Sequence, residues 1–281
     1  MTFFRYPGGK AKLKQIVVSK LHEGLDTHSN IEEYREPFFG GGKIGTEFLS
    51  STLKKFWIND FDLGISCLWS SVLNDHTKLI DLIKSFVPTT DAFYNFKKDL
   101  LVDKDLNLLS REEKLNIGFK KLVVHQTSFS GLGTKSGGPL GGKKQLSKYK
   151  IDCRWSPKYL SQKILKLNSS FKNKVIRQDC CTSLDFSEVI SDNSTKALLY
   201  LDPPYFDKGN ELYQCGFTYE DHTRLAKDLS NCTNLWVLSY DNCEDIIDLY
   251  KDWTNIVIIS DINYSINTAR KYKTELLISN F

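Results

Sequence analysis

The sequence predicts an α/β fold, a doubly wound and mainly parallel sheet interrupted by an inserted helical, loop-rich segment. Three observations predict it. Short apolar runs alternate with helical patterns before residue 64 and after residue 174. That rhythm breaks across residues 65–173. A glycine-rich turn follows the first short apolar piece, where such sheets bind ligands. A chain of 281 residues is long enough for one core domain and a smaller insert. The expected division is a core made of residues 1–64 and 174–281, with residues 65–173 as the insert.

The elements follow in order. "REPFFGGGKIGTEFL" (35–49) opens on a short apolar piece, turns through three glycines and continues as a helix with Ile44 and Phe48 on its apolar side. "KKFWINDFD" (54–62) reads as a second strand that ends at acids. Residues 64–86 and 91–124 read as helices, with Leu68, Val72, Leu79 and Leu82 near a 3.6-residue period. "FSGLGTKSGGPLGGKK" (129–144) holds six glycines within residues 131–142 and reads as a long turn or flexible loop. Residues 157–170 return to a helical pattern. "KVIRQDC" (174–180), "ALLYLDPPY" (197–205), "LWVLSYD" (235–241), "NIVIISDI" (255–262) and "TELLISN" (274–280) complete the strands.

Composition narrows the class. The hydrophobic fraction of 41% and the charged fraction of 26% are ordinary for a globular protein. No run approaches the roughly 18 apolar residues of a membrane span, and "MTFFRYPGGK" lacks the layout of a signal peptide. The seven cysteines form no C-x-x-C pair, so reduced thiols in a cytoplasmic protein are expected. The net charge is +4, but residues 131–174 alone carry +10, which leaves −6 elsewhere. A basic segment on an otherwise acidic chain is the electrostatic footprint of a nucleic-acid contact, or else a solvated lysine-rich surface.

Gly40, Gly42 and Gly45 fit G-x-G-x-x-G, and Asp60 lies twenty residues after Gly40 at the end of the next strand. In a dinucleotide fold that spacing brings a carboxylate to a ribose hydroxyl. A nicotinamide dehydrogenase is one reading. A cofactor with a ribose and no pyrophosphate is another, with Glu36 placed to accept from an amino group. A phosphate-binding P-loop is excluded, because Ile44 follows Gly42-Lys43 where Ser or Thr is required.

"LLYLDPPYF" (198–206) is a buried strand stopped by Pro203 and Pro204, which have no backbone donors. It delivers Asp202 to a strand end, where ligand crevices lie. The Asp202 carboxylate and the Pro203 carbonyl are both acceptors, suited to the two N–H donors of an exocyclic amino group. Tyr205 can stack on the ring that carries it.

With these motifs in place, the sequence resembles the Dam-type, class-alpha family of DNA adenine-N6 methyltransferases. The resemblance rests on "FFRYPGGK" (3–10), "EPFFGGG" (36–42), "NDFD" (59–62), "RQDC" (177–180), "DPPYF" (202–206) and "NTARKYKTELLISN" (267–280), in the family's order. It implies a Rossmann-like, seven-stranded sheet of the SAM-dependent methyltransferase type, with one antiparallel strand near the C-terminus and a target-recognition insert. It implies S-adenosylmethionine (SAM) as methyl donor, S-adenosylhomocysteine as product, and no metal. Tyr6, Lys10, Glu36, Phe38, Gly40, Gly42, Asp60 and Asp202 would hold SAM, and Asp179 its adenine. Asp202, Pro203 and Tyr205 would hold a target adenine flipped out of double-stranded DNA. A monomer or weak dimer in a bacterial or phage-infected cell is expected, with a restriction–modification role among the possibilities. The insert matches the family's recognition loop only loosely, so no target sequence carries over.

Within that insert, residues 125–155 are expected to form a β-hairpin or loop, poorly ordered without DNA, that enters the major groove. Ser128, Ser130, Thr134, Lys135 and Arg154 are candidate base or phosphate readers. Lys143, Lys144, Lys148 and Lys150 are expected to track phosphates. His125 and His222 are read as structural rather than as general bases. The competing functions are the dehydrogenase, a methylase acting on RNA or cytosine, and a non-catalytic DNA-binding protein.

Overall fold

The structure is a computed structural model; it describes residue 4 and residues 11–101, 105–206, 217–263 and 272–281. Each of the seven expected runs contributes a strand to one sheet. These are β1 (Glu33–Glu36), β2 (Lys55–Ile58), β3 (Val175–Ile176), β4 (Ala197–Leu201), β5 (Leu235–Asp241), β6 (Asn255–Asn263) and β7 (Tyr272–Ser279). Their order is β3-β2-β1-β4-β5-β7-β6. All neighbours are parallel except β7, which runs antiparallel to both β5 and β6. The order reverses at β1, with β2 and β3 to one side and β4 and β5 to the other. A crevice therefore opens beyond the C-terminal ends of β1 and β4.

The sequence of β4, ALLYL, is buried throughout, because helices cover both faces of the sheet. β1 is the exception in composition. It reads EYRE, yet all four residues are buried. Its charges are matched locally. Arg35 donates to Glu33 at 2.6 Å and to the Asp192 carboxylate at 3.1 Å, and Arg177 closes the set on Glu33 and Asp192. Unpaired, any of them would be costly to bury.

On one face lies α1 (Ala11–Thr27), packed on β4 and β5. The sequence reading did not include it, although Leu13, Val17 and Leu21 recur at helical spacing and are buried. The glycine turn leads into α2 (Gly45–Phe48), a single turn rather than the longer helix expected. The two long helical stretches each break into two. Residues 64–86 become α3 (Leu63–Asn74) and α4 (His76–Ser85), and residues 91–124 become α5 (Thr90–Asp99) and α6 (Arg111–Thr127). Asp62 caps α3 by accepting from the Gly64 and Ile65 amides. Ser110 and Glu113 form a capping box on α6. α7 (Pro157–Phe171) starts with Ser156 as N-cap and Pro157 in its first turn.

Gly118 of α6 crosses the α3 backbone, where a Cβ would lie 2.7 Å from the Cys67 carbonyl oxygen. The two helices can approach only with glycine there. Leu68 and Trp69 of α3 and Leu167 and Phe171 of α7 share one apolar cluster with Phe39, Phe48 and Phe56. The helical part of segment 65–173 is thus continuous with the core of the sheet.

Residues 128–155 form a loop rather than a hairpin. Short 3₁₀ turns occupy Phe129–Gly131, Gly133–Lys135 and Ile151–Arg154. One bridge, Ser128 with Pro139, and two backbone bonds close the loop, from Phe129 to Gly138 (3.0 Å) and from Leu140 to Thr127 (2.8 Å). The glycines serve its shape: Gly131, Gly133, Gly141 and Gly142 all have positive φ.

The other face carries α8 (Phe186–Ser191), α9 (Tyr219–Ser230) and α10 (Glu244–Tyr250), around a second apolar cluster with Trp236, Leu238 and Tyr240. Among the described residues, no helix is long and apolar enough to cross a membrane.

Candidate active site

The site is built where β1, β2 and β4 end. After β1, the Asn59 amide donates to the Glu36 carbonyl (3.0 Å) and the Phe39 amide to the Asn59 carbonyl (2.8 Å), so the β1–β2 ladder runs on into the glycine turn. Gly40 and Gly42 have φ of 47° and 64°, which side chains disfavour. A Cβ on Gly42 would lie 2.5 Å from the Trp69 ring. Trp69 reaches over from α3 and donates its indole N–H to the Gly40 carbonyl at 2.9 Å. Its ring meets Phe39 edge-on at 4.8 Å.

The turn closes on Asp60. The Gly40 amide donates to Asp60 Oδ2 at 2.6 Å, and the Asp62 amide to Oδ1 at 2.9 Å. Burial pushes the Asp60 carboxyl up to about 7, and the charge of Asp62 adds to this, against the pull of the two amides and of Lys121. Lys121, 1% exposed on α6, pairs with Asp62 Oδ2.

Glu36, 2% exposed, accepts from the Tyr34 hydroxyl at 2.7 Å. Burial raises its carboxyl well above the usual range, and the charges of Asp202 and Asp60 raise it further. These three acids therefore share one electrostatic environment. A Cβ on Gly45 would collide with the Glu36 carboxylate and sit 2.6 Å from the Phe39 ring, so the backbone is closely packed around the acid. Phe38 is half-buried and packs toward Phe186 (5.6 Å) and Phe217 (5.9 Å).

Asp202 follows β4 directly. The Ser239 hydroxyl of β5 donates to its Oδ1 at 3.0 Å, and Ser239 also bonds the Tyr200 hydroxyl at 2.9 Å. Pro203 is buried, and Tyr205 is half-buried with its hydroxyl donating to Glu275 at 2.9 Å. The Phe206 amide donates to Asp241 Oδ1 at 3.1 Å. Strand ends thus bring Glu36, Asp60 and Asp202 together.

The remaining candidates are placed differently. Asp179 is not on a strand, because β3 ends at Ile176. It lies on the 3₁₀ turn Arg177–Asp179 with φ of 54°, exposed, and Asn74 at the end of α3 donates to its carbonyl at 2.6 Å. Tyr6 and Lys10 lie outside the described residues, as does the Ser130 side chain.

Two candidate base readers need correction. Ser128 is fully buried, donating to the His125 carbonyl and accepting from the Gly133 amide, and Thr134 is also buried. In this conformation neither reaches the surface, and the Ser128 hydroxyl serves the internal bonding of the loop. Lys135, Lys143, Lys144, Lys148, Lys150 and Arg154 are exposed. His125 is buried against Gly131 and Gly133. His222 bonds the Tyr240 hydroxyl, and burial lowers it to about 4.

The sequence reading missed Tyr34, Trp69, Lys121, Ser239 and Glu275 at this site. Two of these carried a signal. Ser239 and Glu275 are polar residues inside the otherwise apolar strands LWVLSYD and TELLIS. Lys121 and Trp69 carried none, since their partners lie about 60 and 30 residues away along the chain.

Buried acids at strand ends, a turn tightened by glycines and a rigid Asp-Pro-Pro-Tyr segment form a site rich in acceptors. It suits a ligand that brings hydroxyl and amino donors and positive charge. No curated protein sequence matches the chain. A family model does, spanning residues 6–266 and so taking in both the glycine turn and the Asp-Pro-Pro-Tyr segment. The chain belongs to the D12 class of N6 adenine-specific DNA methyltransferases.

Proposed function

We propose that this enzyme transfers the methyl group of S-adenosylmethionine to N6 of an adenine flipped out of double-stranded DNA. The observation that carries the reading is the convergence of Glu36, Asp60 and Asp202 at neighbouring strand ends, with Pro203 and Tyr205 beside Asp202. The residues present fit the donor. A cationic, hydroxyl-bearing ligand offsets the ionisation cost of buried acids, and Asp60, Glu36 and the tightly turned Gly40 and Gly42 form a cradle for it. When bound, it supplies an electrophilic methyl group.

In this reading Asp60 accepts from the ribose, Glu36 from the amino group of the methionine part, and Asp179 from the adenine of the donor. Tyr6, Lys10 and Phe38 complete that site. Asp202 and the Pro203 carbonyl accept from the two N6 protons of the target base, which draws the nitrogen lone pair out of conjugation with the ring. Asp202 then stabilises the positive charge that grows on nitrogen, and Tyr205 stacks on the base. The exposed lysines of residues 135–150 neutralise phosphates and help offset the few kcal/mol needed to flip the base.

Incubation with isotope-labelled donor and duplex DNA tests this, with nucleosides resolved by mass spectrometry. N6-methyladenine is the expected product. Label in methylcytosine, or in RNA in preference to DNA, would overturn the substrate assignment. Single-molecule sequencing of the modified DNA identifies the target sequence.

A further inference from the structure

Three side chains of β5 and β7 hold the Asp-Pro-Pro-Tyr segment from outside it. Ser239 donates to Asp202 Oδ1 (3.0 Å), Asp241 accepts from the Phe206 amide (3.1 Å), and Glu275 accepts from the Tyr205 hydroxyl (2.9 Å). Glu275 stands out chemically. It is 1% exposed in the middle of β7, beside Leu276, Leu277 and Ile278, which are equally buried. A carboxylate there is costly unless it is hydrogen-bonded, and a strand position that only filled the core would be served by an apolar residue. Its cross-strand partner on β5 is Asp241, so the anchors of Tyr205 and Phe206 stand side by side across one ladder.

We propose that Glu275 is a positioning residue for catalysis, acting through Tyr205. Tyr205 is held at both ends. Pro203 and Pro204 stiffen the backbone leading to its Cα, and Glu275 fixes its hydroxyl. A tyrosine ring has only two side-chain torsions, and pinning the far end of the ring removes the freedom of both. The ring plane is therefore set before the base arrives, so stacking costs little ordering. Ser239 does the same for Asp202: its hydroxyl bridges Tyr200 and Asp202 and fixes the orientation of the carboxylate. The antiparallel β7, which distinguishes this sheet from an all-parallel one, is what delivers Glu275 to the site.

This inference rests on the proposed function, and the test separates the two. Full-length Glu275→Gln, Glu275→Leu and Tyr205→Phe proteins, and the Leu/Phe double variant, are compared for SAM affinity, DNA KM and kcat. Each is also bound to a duplex with 2-aminopurine in place of the target adenine. Gln keeps an oxygen acceptor, whereas Leu suits the apolar strand and keeps the fold testable by its melting temperature. Glu275→Leu and Tyr205→Phe are each expected to lower kcat by about tenfold to a hundredfold, the scale of a small misplacement at a reacting centre. SAM affinity should stay within about twofold. The double variant should be no slower than the slower single one, because both remove one interaction. Glu275→Gln should recover most of the rate. The 2-aminopurine, quenched by stacking on the fixed ring, should be brighter in the Leu and Phe variants.

A folded Glu275→Leu protein with the wild-type kcat overturns the proposal. So do losses that multiply in the double variant, which would mean that Glu275 acts independently of Tyr205. If the unaltered protein makes no N6-methyladenine, the proposed function fails first; a wild-type rate in Glu275→Leu overturns this inference alone.

Discussion

Asp60 makes the cofactor site sensitive to pH, and the structure sets the scale. Burial and the nearby Asp62 move its carboxyl from 3.8 to about 7. The folded protein therefore binds a proton here that the unfolded chain has already released, so stability falls as pH rises between about 4 and about 7. The loss from this group is about 4 kcal/mol once it is fully ionised. A cationic donor whose hydroxyls give hydrogen bonds to ionised Asp60 must pay for deprotonation below pH 7. Its affinity should thus rise about tenfold from pH 6 to pH 8, with roughly one proton released on binding at the lower pH. Calorimetric SAM titrations in two buffers of different ionisation enthalpy measure both quantities. Asp60→Asn should flatten the dependence while weakening binding, since the Gly40 and Asp62 amides bond different oxygens of the carboxylate and one of them would face the Asn NH2 group, at about 1–3 kcal/mol. That variant keeps Glu36, whose carboxyl is raised mainly by burial and only secondarily by the charge of Asp60, so the difference between the two proteins reads chiefly Asp60. Parallel pH profiles in the wild type and Asp60→Asn, for both affinity and melting temperature, would refute the reasoning.

Asp202→Ala is expected to abolish methyl transfer while leaving SAM affinity within a few-fold, and near-normal turnover would remove Asp202 from the chemistry. Gly42→Ala should destabilise the fold by about 1–3 kcal/mol, because φ of 64° disfavours a side chain and its Cβ would press on Trp69; denaturant melts read the loss directly. Lys121→Met leaves Asp62 without its buried cation and should cost about 2–4 kcal/mol, together with weaker SAM binding through the Asp62–Asp60 contact; an unchanged dissociation constant would separate α6 from the cofactor site. Deleting residues 133–142 should remove site preference while SAM still binds, and the loss of Lys135 should lower the salt slope of DNA binding by about one; an unaltered methylation pattern and salt slope would mark the loop as a connector.

Much of this enzyme is determined by local sequence. The strands β4 and β5 follow from largely apolar runs that are buried on both faces, ALLYL and LWVLSYD. The spacing of Gly40 and Asp60 was legible as a carboxylate placed for a ribose hydroxyl; the 2.6 Å bond from the Gly40 amide to Asp60 was not, and it arises because pairing of β1 with β2 brings the end of β2 to the start of the glycine loop. Asp-Pro-Pro-Tyr was legible because two prolines after a buried strand leave little choice of backbone. Tertiary structure decided the rest. EYRE is a central strand only because Arg177 and Asp192, from distant segments, match its charges. Ser128 and Thr134 look like surface hydroxyls in a glycine-rich loop, yet the loop folds back on α6, burying both and bonding Ser128 internally. Lys121 and Glu275 are ordinary charged residues in sequence. They reach the site because helix crossing and antiparallel pairing bring together groups separated by about 60 and 70 residues, and no local period encodes such pairings.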